Sequence, residues 1–393
     1  MMPELGEIGE EVPSLKGRTY LDSAATGLPP RSVTERMTEM IQDWSKNGED
    51  SARWLEEVES FRREAGALVG VRQDELAVVQ NASSGLAALA SSVDYSRRRK
   101  VVTCASNFPS NVLVWQRLKE MGALDQVSVL QQKDGAMALE EWQREVDDRT
   151  AVVAVDYVSW ISGFRENVRE LARVAHDAGA LVFVDAYHAV GVFPVDLAQD
   201  RVDGGCFGFA KWLCGPHGVS CLYVSKDLLE TSSPAQMGWM GAKDNVLGRM
   251  REGRDVFDKP FSVSTGEPAP GASRFELGTY PHVLIAGARG ALEFARRYTP
   301  AQRFEVIKKR REALREVLER EDARILTPDH DSNPGSGILT ILEVDHKKLV
   351  DDLVKRRVVV SGRFGHVRVS PHFYNSEEDV ERFAEAYRAA KLR

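Results

Sequence analysis

Apolar and polar positions alternate along this chain with two distinct periods. Short apolar runs bounded by small or charged residues read as buried strands: 76–80, 101–104, 151–155, 181–184, 206–210 and 219–224. Helical periodicity runs from about Ser32 to Ser45, Ala52 to Leu68, Val112 to Met121 and Val168 to Ala178, and a further helix begins over Leu86 to Ser92. Strands and helices in alternation predict right-handed crossovers and an α/β fold with a mainly parallel sheet. The connection between Met121 and Ala151 reads as polar and variable. Residues Arg249 to Gly271 are charged and carry Gly and Pro without a period, which predicts a mobile or pocket-covering loop. Beyond it come a long helix (about His282 to Arg297), a charge-laced helix (about Gln302 to Glu319), the strand Ile338 to Val344 and a helix from about Lys347. The strands Val358 to Ser361 and Val367 to Ser370 and a helix from Glu377 to Lys391 close the chain. This pattern predicts a large domain over 21–285 and a smaller α+β domain formed by 1–20 and 286–393.

Chemistry gathers where the apolar runs stop. The run at 181–184 ends at Asp185, with His188 shortly after; the run at 206–210 ends at Lys211, before the turn Gly215-Pro216-His217-Gly218. A carboxylate and a lysine just past the carboxyl ends of strands stand where open α/β sheets place ligands. Taken singly, Asp185 could cap a helix and Lys211 could be a solvated lysine. The segment Asn81-Ala82-Ser83-Ser84-Gly85, read as a loop between a strand and a helix, has the geometry that binds phosphate through free N–H groups, although either serine could simply be an N-cap. Small residues from Ser23 to Gly27 suit either a backbone that approaches a ligand or a tight turn.

Together, Asp-x-x-His after one strand and Lys-Trp-Leu-x-Gly-Pro-x-Gly before another resemble the pyridoxal-phosphate (PLP) enzymes of the class V aminotransferase group. The resemblance runs from Tyr20 to the final helix and implies a fold-type I architecture with a seven-stranded-type sheet. It implies that Lys211 holds PLP as a Schiff base, that Asp185 pairs with the pyridinium nitrogen and that His188 holds the phenolic oxygen or acts as an acid or base. A protonated ring nitrogen makes the ring an electron sink, and a nearby carboxylate keeps the proton there. Asn107-Phe108-Pro109-Ser110-Asn111 is similar to a kynureninase segment, so Phe108 is expected to stack on PLP and Asn111 to lie in the pocket. Ser83, Ser84, Trp239 and Thr279 are expected to hold phosphate, Thr279 across a subunit interface, which implies a homodimer. Arg368 is expected to grip a substrate carboxylate, with Arg363 as its rival. Trp160 replaces an asparagine common in the group and implies a bulkier, more apolar pocket. Ala210 replaces a histidine or tyrosine, which leaves His188 as the best-placed imidazole.

Composition narrows the function. The 393 residues are 43% hydrophobic and 28% charged, and the formal charge of −7 comes without a basic patch for nucleic acid. No apolar run suits a membrane span, the N-terminus lacks a signal-peptide pattern, and a cytoplasmic enzyme is expected. Cys104, Cys206, Cys214 and Cys221 show no metal-ligand spacing, and residues 222 to 393 contain no cysteine. Cysteine desulfurases carry a nucleophilic cysteine in that region, so persulfide chemistry of that form is not expected. The expected activity is an aminotransferase or C–S lyase-like reaction on a small or sulfur-containing amino acid. Its rivals are a kynureninase-like C–C hydrolase, a cysteine desulfurase or selenocysteine lyase, an epimerase and, last, a non-enzymatic PLP-binding partner.

Overall fold

Chain reversals in the large sheet follow the length of each connection. The computed structural model describes residues 8, 10–255, 259–261, 266–329 and 333–391. Its strands are β1 (Thr19–Tyr20), β2 (Leu76–Val79), β3 (Lys100–Cys104), β4 (Gln126–Leu130), β5 (Thr150–Asp156), β6 (Leu181–Asp185), β7 (Gly204–Gly208) and β8 (Ser220–Val224). Seven of them form one sheet in the order β2-β8-β7-β6-β5-β3-β4. The connection from β7 to β8 is too short for a crossover, so β8 runs antiparallel to β7, and also to β2. The other neighbouring pairs are parallel. β3, β5, β7 and β8 are buried along their whole length, as strands covered on both faces should be.

Two elements were not visible in the polar stretch before Ala151. β4 is half-buried throughout and pairs with β3 alone, so its weak alternation Gln126-Val127-Ser128-Val129-Leu130 is that of an edge strand. The helix Leu139–Glu145 buries Trp142. The helix expected from Leu86 starts earlier, over Ala82–Ala90, because Asn81 caps it and accepts from Ser84 N–H. The segment Asn81 to Gly85 is therefore a cap and a first helical turn, not a loop. Part of the aperiodic segment from Arg249 to Gly271 lies outside the described residues. Within the rest, the helix Val246–Arg251 reaches into it and Pro268 bridges to Ala242.

The C-terminal part contains β9 (Leu339–Leu342), β10 (Val358–Val359), β11 (Ser361–Arg363) and β12 (His366–Val369). The run from Val358 to Ser361 is not one strand. β10 pairs parallel with β1, whereas β11 enters an antiparallel sheet ordered β11-β12-β9. Leu21 N–H donates to Val359 O at 2.9 Å and Ser370 N–H to Leu21 O at 2.6 Å, so the amino-terminal segment is stitched to the C-terminal one. The helix His282–Arg296 packs on the helices Arg31–Asn47 and Ser51–Leu68. Among the described residues no helix is long and apolar enough to cross a membrane.

Candidate active site

The carboxyl ends of β5 and β6 place two carboxylates side by side: Asp156 and Asp185 are register partners. Asp185 accepts from Tyr187 N–H at 2.9 Å, and burial pushes its carboxyl above the usual range. Asp156 accepts from Phe108 N–H at 2.5 Å and Asn111 Nδ2 at 3.0 Å. Its carboxyl is raised well above the ordinary value, first by burial and then by the charge of Asp185.

Lys211 enters from the next strand, β7, through Phe209 and Ala210. Behind it lies the small-residue segment: Gly27 N–H donates to Ala210 O at 2.8 Å, and a Cβ on Gly27 would stand 1.9 Å from Lys211 O. Only glycine fits there, and the residues before it form a turn in which Ala25 N–H donates to Asp22 O at 3.0 Å. Lys211 Nζ lies 2.9 Å from His188 Nε2, 4.6 Å from the centre of the Tyr187 ring and 5.6 Å from that of Phe108. Burial lowers the amine to about 8, partly offset by Asp185. Burial also drives His188 well below its ordinary value, helped by the charge of Lys211, so its ring is neutral.

The strand β12 carries Arg368. Its guanidinium is buried, gives one nitrogen to Trp160 O at 3.0 Å and stands 3.8 Å from Asp22 Oδ1. Its Nε and second terminal nitrogen have no hydrogen-bond partner among the described residues. Burial lowers this group to about 10. A desolvated cation with open donors is a seat for an anion. Arg363 is less buried and stands 6.0 Å from the Trp160 ring centre. Trp160 donates from Nε1 to Asn107 O at 3.1 Å and sits edge-on between Phe108 (5.5 Å) and Phe364 (6.1 Å). Phe364, 78% exposed, occupies the hairpin tip between β11 and β12.

The structure thus brings together Lys211, His188, Asp185, Phe108, Asn111, Trp160 and Arg368. Ser83 and Ser84 open the helix Ala82–Ala90; the Ser83 hydroxyl meets that of Ser110 at 2.6 Å, and the Ser84 hydroxyl donates to Asn81 O at 2.9 Å. The Ser84 N–H is already taken by Asn81 Oδ1, so neither its amide nor its hydroxyl is a free donor at the helix start. Trp239 and Thr279 line a separate cavity of about 510 Å³ with Met240, Tyr280 and His282, and Lys211 is not part of its wall. Thr279 also lines a cavity of about 720 Å³ that reaches Asn81 and Ser84. Within one chain, then, Trp239 joins neither Lys211 nor the serines.

Sequence reasoning gave no role to Asp156, Tyr187, Trp212 and Phe364, and for Asp22 the resemblance implied only that the segment Tyr20 to Ala25 lines the active site. Asp156 carried the same signal as Asp185, a carboxylate ending an apolar run. Tyr187, Trp212 and Phe364 were given no role, and only folding brings Asp22 to Arg368 or Trp212 to His188.

The family model for aminotransferase class-V matches residues 19–383. An uncharacterized aminotransferase of Bacillus subtilis is 26% identical over 368 residues, covering 94% of this chain and 93% of that protein. A kynureninase of Deinococcus radiodurans is 30% identical over 285 residues, covering 69% and 64% respectively. The apo structure of a cysteine desulfurase from Thermococcus onnurineus shares the fold with a TM-score of 0.87 at 23% identity, covering 100% of this chain and 99% of that one.

Proposed function

The chain belongs to the class V aminotransferase family of PLP-dependent enzymes, and from that premise we propose that it acts on an α-amino acid through Lys211. The observation that carries the reading is the convergence on one point of an amine lowered to about 8, a buried carboxylate and a neutral imidazole. The buried residues fit PLP: Asp185 has a carboxylate oxygen beyond the one bound by Tyr187, and Arg368 has open donors for a second anion. When bound, PLP supplies an electron sink for the carbanion formed at the substrate α-carbon.

The chain's own part is to bind, orient and move protons. Lys211 supplies the amine that carries the cofactor aldehyde and, once displaced, takes and returns the α-proton at Nζ. Asp185 holds the proton on the ring nitrogen. His188 holds the phenolic oxygen. Phe108 covers one ring face, and the helix start at Ser83 and Ser84, with Thr279 and Trp239 of a second copy, holds phosphate. Arg368 takes the substrate carboxylate.

The favoured reaction is aminotransferase or C–S lyase-like, on a small or sulfur-containing amino acid. A kynureninase-like hydrolysis is the second reading, favoured by the aromatic wall of Phe108, Trp160 and Phe364, which suits a larger apolar side chain. Incubating the PLP-loaded enzyme with a panel of amino acids, while following its visible spectrum and identifying products, separates them. A keto acid with amino transfer, or sulfide release, supports the first; anthranilate or benzoate-type products support the second. No spectral response to any amino acid overturns both.

A further inference from the structure

We propose that Asp156 is a positioning residue, which fixes the Asn107–Asn111 segment through two hydrogen bonds and thereby sets the ring of Phe108 over the Lys211 site. The inference rests on the reading of Phe108 as the stacking face. Phe108 is 39% exposed, and the ring contact it makes is edge-on with Trp160. Packing holds a half-exposed ring weakly, so its place must be set through its backbone.

The backbone is held from one side chain. Asp156 Oδ2 accepts from Phe108 N–H and Oδ1 accepts from Asn111 Nδ2. The segment reciprocates, since Asn107 Oδ1 accepts from Asp156 N–H at 3.0 Å. Asn107 Nδ2 reaches Thr103 Oγ1 and Ala154 O, each at 3.0 Å, which ties the segment to the ends of both β3 and β5. A carboxylate is costly at this spot, because Asp156 is 4% exposed and shares its register with Asp185. What it offers in return is an acceptor oxygen for each of the two N–H groups that face it. The demand is for acceptors rather than for charge. Asn111 Oδ1 is buried without a partner. An asparagine at 156 could therefore accept from Phe108 N–H and donate to Asn111 Oδ1 after a turn of the Asn111 amide.

The test titrates the full-length apo protein with PLP and records affinity, visible circular dichroism of the bound chromophore and the thermal midpoint. We expect D156A to weaken PLP binding about tenfold or more, the scale of a lost hydrogen bond to a charged group, and to diminish the dichroism. F108A should do the same, and D156A/F108A should add little to either single change, as for residues acting through one contact. D156N should stay within about threefold of the parent protein. If D156A does not fold, N111A, which removes one donor arm, should still give a smaller loss in the same direction, and no loss overturns the proposal. Unchanged affinity and dichroism in D156A with a lowered thermal midpoint would make Asp156 merely structural. D156N as damaging as D156A would make it an electrostatic residue. F108A without effect would remove the stacking reading itself, whereas loss in F108A alone removes only the role of Asp156.

Discussion

His188 turns its Nε2 toward Lys211 Nζ at 2.9 Å. Its other nitrogen faces the indole N–H of Trp212 at 3.4 Å. An indole nitrogen only donates, so Nδ1 accepts and the neutral ring keeps its proton on Nε2. Once Lys211 is neutral, His188 can donate from Nε2 to its Nζ, and the same donor suits an oxygen beside the amine.

For Lys211 the lowered value near 8 has a kinetic consequence. Only the neutral amine captures an aldehyde, so the rate of PLP uptake by the apo protein should rise as pH increases through about 8 and level off above it. An unperturbed lysine would keep accelerating toward about pH 10.4. Stopped-flow mixing from pH 6.5 to 10 checks this, and borohydride reduction should leave the label on Lys211. A label on Lys226 or Lys243 would refute the assignment.

Arg368→Lys keeps a cation but loses the fork. Carboxylate binding should weaken by about 1.5–3 kcal/mol, read as a raised KM with an unchanged cofactor spectrum. Intact kinetics here, with loss in Arg363→Lys, would transfer the role to Arg363.

Cysteine chemistry should be absent. Cys214, the cysteine nearest Lys211 in sequence, is fully buried in a turn with φ of 58°, and burial raises its thiol to about 12. A persulfide carrier needs an accessible thiolate. Cys214→Ser should retain turnover and mass spectrometry should find no persulfide; loss of turnover with the cofactor spectrum kept would reinstate a desulfurase.

Two copies should share each site. Trp239 and Leu277 are exposed large apolar residues beside Thr279, the kind of surface that a two-fold interface covers. Light scattering should give a dimer, and mixing inactive Lys211→Ala with inactive Thr279→Tyr should restore part of the activity. An active monomer would exclude the shared site.

Glu166 predicts a pH effect on stability alone. Burial raises its carboxyl from 4.5 to about 8. The unfolded chain releases this proton above about 4.5 while the native state retains it, so the native state is progressively disfavoured as pH rises from 4.5 to 8. Glu166→Gln should match the parent protein near pH 4 and exceed it increasingly up to about pH 8, with no further gain beyond. Urea unfolding at several pH values measures the difference, and a pH-independent gap would contradict the cause.

Strands and helices of the large sheet were legible in the sequence because burial on both faces demands unbroken apolar runs, and those runs end at the very residues that carry chemistry. Asp185, His188 and Lys211 stood out for that reason. Edge strand β4 escaped because one side of it meets solvent and its pattern weakens accordingly. The start of the helix Ala82–Ala90 escaped because Asn81 and Ser84 suit a loop and a capping box equally well. What the tertiary structure alone decided were the encounters between distant segments: Asp22 with Arg368, Trp212 with His188, Phe364 with Trp160, and Asp156 holding Phe108. Side-chain periodicity reports which face of an element is buried, not which partner buries it. That choice belongs to sheet register and to the stitching of β1 onto β10.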